Sequence, residues 1–91
     1  KNITFCSEKV MINFELYKIR PSKHFIQSWM RKWGLNSYEL KGVLNKNYKI
    51  EKVGKYKYEA YIRRKEKSIK IIFILDEDYK EILIITGAEG K

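Results

Sequence analysis

The sequence predicts an α+β domain in which two N-terminal helices pack on a mainly antiparallel sheet of four to five strands. Three observations predict it. A hydrophobic period of two from Val10 changes to a helical period just after Pro21, two successive capping patterns bracket that helical stretch, and everything from Tyr48 onward returns to strand-like alternation. With 91 residues, 44% of them hydrophobic, the chain suits one domain over 1–91, with 1–10 as a candidate N-terminal arm and 87–91 as a tail.

From Val10, Ile12, Phe14 and Leu16 alternate with Asn13, Glu15 and Tyr17, which reads as a half-buried strand ended by Pro21. Ser22 is placed to N-cap the helix that follows. From Lys23 to Trp33, Phe25, Ile26, Trp29, Met30 and Trp33 form an apolar stripe, with His24, Gln27, Ser28 and Arg31 beside it. Gly34 suits a left-handed helix end. Asn36 and Glu39 make a capping box for a second helix, flanked by a Leu35–Leu40 staple, and its apolar face is Leu40, Val43 and Leu44. Asn45 to Asn47 end it.

Strands then follow over Tyr48–Val53, Lys55–Arg64, Ser68–Leu75 and Glu81–Thr86, separated by Gly54, a charged turn at Lys65–Lys67 and an acidic turn at Asp76–Lys80. In the second of these, Tyr56, Tyr58, Ala60 and Ile62 share one side, with Lys57, Glu59, Tyr61 and Arg63 on the other. Both faces of the last two strands are apolar, as for central strands covered on two sides. The helices supply one cover; the arm or a partner protein is left to supply the other.

Charge narrows the function. Twenty Lys and Arg against eleven Asp and Glu give +9 at neutral pH. Such an excess favours a polyanion, an acidic protein or an anionic surface, or else serves solubility alone. No apolar run reaches membrane-spanning length, the longest being Ile71 to Leu75, and Lys1 to Val10 holds no signal-peptide core, so the cytosol is the default compartment. One cysteine, Cys6, and one histidine exclude a disulfide framework and leave no basis for a structural zinc site, and no metal or cofactor is expected.

Several residues are candidates for chemistry. His24, in the first helical turn, reads either as an imidazole beside a bound phosphate or as a partly exposed surface histidine. Arg63 and Arg64 can hold a phosphate by paired bonds, with Lys70 on the next strand. Lys65 and Lys67 are better explained by solubility and protection of a sheet edge. Tyr61, sharing a side with Lys57 and Arg63, is the better stacking surface for a base, since Tyr56 and Tyr58 fall at the core rim. Asp76, Glu77 and Asp78 match no cation-binding loop and read as a solvated hairpin tip.

The order of strand, Pro21-Ser22-Lys23-His24, helix, Gly34-Leu35-Asn36, second helix and a meander ending Ile84-Ile85-Thr86-Gly87 resembles a RelE-like small domain. More narrowly it is similar to an uncharacterised branch with a Ser-x-His helix start, a Met-Arg-x-x-Gly helix end (Met30, Arg31, Gly34) and a final Ile-x-Thr. The BrnT toxins are a more distant comparison. The resemblance spans roughly Phe14 to Gly87. It implies a barnase-like or RelE-like fold and a metal-independent endoribonuclease of a toxin–antitoxin pair. Such a protein acts on RNA, in some cases ribosome-associated mRNA, and is neutralised by an acidic antitoxin. On that basis His24 is the catalytic acid or base, Arg31 matches the motif arginine and contacts RNA, and Thr86 joins the catalytic set by binding phosphate. Charge and parity add Arg63 to the catalytic set, and Lys57, Tyr61, Arg64 and Lys70 to the RNA contacts. The chain departs from the pattern at Phe25, where relatives carry a small residue. It also lacks a second histidine, which leaves Arg, Lys or Tyr for the other proton-transfer role. A non-catalytic nucleic-acid-binding module and a protein–protein module are the rival readings.

Overall fold

The computed structural model describes residues 11–89. The N-terminal arm, Cys6 and the last two residues lie outside this range. A 3₁₀ turn over Phe14–Leu16 leads into strand β1, Lys18–Pro21. Helix α1 runs over 23–33, and α2 over 37–45, entered through a 3₁₀ turn at Ser37–Glu39. Four strands complete the chain: β2 Asn47–Lys52, β3 Lys57–Arg64, β4 Lys67–Asp76 and β5 Glu81–Glu89. The sheet order is β1-β5-β4-β3-β2, with β1 parallel to β5 and every other pair antiparallel. The architecture is therefore α+β, with two helices on a five-stranded, mostly antiparallel sheet.

Local signals place the helices. Ser22 Oγ accepts from Phe25 N, and Gly34 ends α1 at φ 68°, a conformation that costs glycine nothing. Asn36 and Glu39 form both halves of the capping box, and Leu35 and Leu40 are both buried beside it. The core is the layer between helices and sheet: Phe14, Phe25, Met30, Trp33, Leu40 and Leu44 on one side, and Ala60, Ile62, Ile71, Phe73, Ile82 and Ile84 on the other.

Three expectations are corrected. The strand read from Val10 begins only at Lys18. Phe14 and Tyr17 are buried while Leu16 is exposed, a spacing of three that belongs to a turn. The stripe of α1 is displaced, because residues Ile26–Met30 form a π turn with one extra residue. Phe25, Met30 and Trp33 are buried, spaced five and three apart, and Ile26 turns outward at 43% exposure. The assumed tail is also partly strand: β5 continues through Gly87 to Glu89, opposite Ile71 to Ile69.

Two hairpin details carry strain or close packing. Lys65 and Glu66, the two-residue turn between β3 and β4, both lie at positive φ, 52° and 67°, where non-glycine residues are strained. At Gly87, an added Cβ would sit 2.7 Å from the Trp33 ring and 3.2 Å from the Lys70 carbonyl oxygen. Replacing Lys65-Glu66 by Asn-Gly is expected to stabilise the domain by about 1–2 kcal/mol, read as a raised denaturation midpoint at unchanged m-value. Gly87→Ala is expected to destabilise it by about 1–3 kcal/mol in the same measurement, since the ring and the strand cannot both stay in place.

Candidate functional site on the uncovered sheet face

Strand register builds the site. The helices cover one face of the sheet; among the described residues no helix covers the other. Four cross-strand rows run over this open face. The first is Lys57, Ile74 and Leu83; the second is Glu51, Glu59, Ile72 and Thr86; the third is Lys49, Tyr61, Lys70 and Ala88; the fourth is Arg63 and Ser68.

Two bulges enrich these rows. In β5, Ile72 pairs with Thr86 while Phe73 pairs with Ile84, so Ile85 is the extra residue. A bulge of this kind sets two residues against one and re-aims the side chains beside it. Thr86 is thereby turned to the open face although Ile84 and Gly87, on either side, face the core. In β2 the same shift falls at Tyr48, between Asn47 and Lys49.

His24 reaches this face from the start of α1. Ser22, just before it, bonds β5 twice: its N–H donates to Ile84 O at 2.8 Å and its Oγ donates to Ile85 O at 2.9 Å. The imidazole Nε2 then lies 3.1 Å from Thr86 Oγ1. The pairing of these two residues, implied by separate motifs some sixty positions apart, is a property of the fold.

One row over, Tyr61 is gripped by its neighbours. Its hydroxyl donates to Glu59 Oε1 at 2.8 Å and more weakly to Glu51 at 3.4 Å, and Lys49 and Lys70 lie over its ring at 5.3 and 5.9 Å. Lys70 also pairs with Glu59 at 3.7 Å. The hydrogen bond to Glu59, with burial, pushes the Tyr61 phenol well above its ordinary value, so it stays a proton donor. The Lys49 ammonium beside Glu51 holds that carboxyl below the usual range. Tyr48 stands 6.3 Å from Tyr61, ring to ring, with Arg63 over its own ring at 5.8 Å and its hydroxyl 2.7 Å from Ser68 Oγ. Tyr48, Tyr61, Ser68, Lys70 and Ala88 line a shallow depression of about 310 Å³, at the small end for a ligand cleft.

The candidates therefore divide. His24 and Thr86 meet; Lys70 and Tyr61 are in the adjoining row; Lys57 is on the same face one row to the other side. Arg63 shares the face but not the centre. It is four positions along the sheet from Thr86, about 13 Å, and two strands across. Arg64 points to the helix side, where a guanidinium nitrogen donates to Trp33 O at 3.1 Å and caps the end of α1. Strand parity accounts for this, since Arg64 follows Ala60 and Ile62. Arg31 lies exposed on α1, and the π turn removes the seven-residue alignment with His24 that a regular helix would provide. Glu59 and Tyr48 were not singled out by the sequence reading. Parity does set Glu59 beside Tyr61, but nothing in sequence announces the β2 bulge that turns Tyr48 over.

Among the described residues, no three of His, Cys, Asp and Glu converge as metal ligands, and no helix is long and apolar enough to cross a membrane. No family model, curated protein or solved structure matches the chain.

Because folded Tyr61 holds its proton more tightly than a free phenol, its contribution to stability is full below about pH 10 and is lost as pH rises toward its folded value. Melting temperatures measured from pH 9 upward are expected to fall more steeply for the parent than for Tyr61→Phe.

Proposed function

We propose that this chain is a toxin-like, metal-independent endoribonuclease acting on single-stranded RNA over the open face of its sheet. The observation that carries the reading is the 3.1 Å approach of His24 to Thr86 at the margin of an uncovered face bearing Lys70 and Tyr61. In such a reaction the ribose 2′-hydroxyl attacks the adjacent phosphorus and the 5′ oxygen departs. His24 transfers a proton, Thr86 orients the imidazole and contacts a phosphoryl oxygen, and Lys70 stabilises the charge that grows there. The order of strand, two helices and meander agrees with the RelE-like resemblance and supports the same reading.

Arg63 has a different role from the one its charge suggested. Distance from Thr86 removes it from the reacting phosphate, and its place over Tyr48 suits a neighbouring nucleotide: a base on the tyrosines, a phosphate on the guanidinium. An acidic antitoxin would neutralise the protein by covering this face. Ile74 and Leu83, paired and 37% and 41% exposed, give such a partner an apolar foothold beside the cationic rows. The neighbouring Tyr48 and Tyr61 rings, tilted at 46° to each other, also fit a second reading, a module that binds single-stranded RNA without cutting it.

RNA incubated with the protein and a chelator is expected to yield fragments ending in 2′,3′-cyclic phosphate and 5′-hydroxyl. His24→Ala should lower the rate roughly 10²–10⁴-fold at unchanged folding. Arg63→Ala should weaken RNA binding and flatten its salt dependence while leaving kcat near the parental value. Parental rates in His24→Ala reject the assignment, and salt-sensitive binding without any product selects the second reading.

A further inference from the structure

We infer that Glu59 is the second proton-transfer group of this site, the base that takes the 2′-hydroxyl proton while His24 protonates the departing 5′ oxygen. The inference rests on the nuclease reading above and names the partner that a chain with one histidine requires.

Register supplies the geometry. Glu59, Ile72 and Thr86 are successive members of one cross-strand row, so Glu59 and Thr86 stand two interstrand spacings apart, about 9–10 Å between Cα atoms. His24 touches the far member of that row. A phosphodiester lying across Ile72 thus has a carboxylate on one side and an imidazole on the other, with Lys70 in the next row facing its oxygens. Ile72 itself has no proton to exchange and forms a floor.

The carboxylate is held for such a task. Its side chain is 18% exposed, and both of its partners, the Tyr61 hydroxyl and the Lys70 ammonium, engage the same oxygen, Oε1. Among the described residues Oε2 has no hydrogen-bond partner, which leaves its lone pairs free to accept a proton. The residues that sequence reasoning offered for this role are less suited. Tyr61 donates to Glu59 and keeps its proton, the Lys70 ammonium is paired with the same carboxylate, and arginine does not deprotonate in proteins. An acid at the centre of a cationic face also opposes the binding of a polyanion, so its presence there calls for another use.

The step balances. The 2′-hydroxyl proton passes to Glu59 Oε2 as the O2′–P bond forms; the P–O5′ bond breaks as protonated His24 gives its proton to O5′. The products are a 2′,3′-cyclic phosphate and a 5′-hydroxyl, and exchange with water restores both side chains.

Two substrates separate the roles: a ribodinucleotide, and uridine 3′-(4-nitrophenyl phosphate), whose leaving group departs without a proton. Glu59→Gln, which keeps an acceptor for Tyr61, is expected to lose roughly 10²-fold or more in kcat on both substrates. His24→Ala should lose as much on the dinucleotide and little on the aryl ester. RNA affinity of Glu59→Gln should be unchanged or higher. In Glu59→Ala, added formate should restore part of the activity, which a merely structural carboxylate would not show. If Glu59→Gln cleaves the dinucleotide within roughly threefold of the parent, the inference falls and the nuclease reading stands. If formate rescues nothing, or if the aryl ester depends on His24 and not on Glu59, the inference also falls. If the parent cleaves neither substrate, both fall together.

Discussion

The structure depends on how helix α1 is held to the second half of strand β5. Four attachments run in parallel along the two elements. Ser22 bonds Ile84 and Ile85, His24 meets Thr86, the Trp33 ring lies on Gly87, and the Trp33 indole N–H donates to Glu89 at 3.0 Å. The first and last of these fix the two ends of the helix, and the imidazole is positioned between them. Buried Phe25 and Met30 keep the helix pressed on the sheet while its polar start reaches round to the opposite face. Core packing and the seating of the His24–Thr86 pair are in this sense one arrangement.

What was legible in the sequence is what neighbouring residues decide among themselves. Ser22, Gly34 and the Asn36–Glu39 box act within three or four residues, so their patterns survive translation into structure. The alternation of β3 and β4 is likewise local, and it sets Arg63 beside Tyr61 as the structure does. The π turn was illegible because its driving force is tertiary: Phe25 and Met30, five positions apart, must both reach the sheet, and one extra residue in the turn between them achieves that. The two bulges were illegible for a related reason, since register belongs to a pair of strands and not to either one. Near the start, apolar residues at Phe14 and Leu16 imitate a strand although only Phe14 is buried.

The site was legible in part. His24 and Thr86 were implied by separate short motifs, and only the fold makes them neighbours. Charge drew attention to arginines and lysines, which in a chain of net charge +9 is where attention naturally goes. It drew attention away from Glu59, an acid held on the same face between the Tyr61 hydroxyl and the Lys70 ammonium. Arg64 shows the converse: a guanidinium counted among the RNA contacts lies on the helix side and closes the end of a helix.

The irregularity at Ile85 divides β5 mechanically into two pieces. Glu81 to Ile84 is locked between β1 and β4, whereas Thr86 to Glu89 pairs with β4 and depends on Trp33 for its seating. Loosening the terminal piece would leave the parallel pairing and most of the interior undisturbed, yet would withdraw the threonine from the histidine. A single strand therefore contains two halves held by different neighbours, and the contact between the histidine and the threonine sits just past the joint.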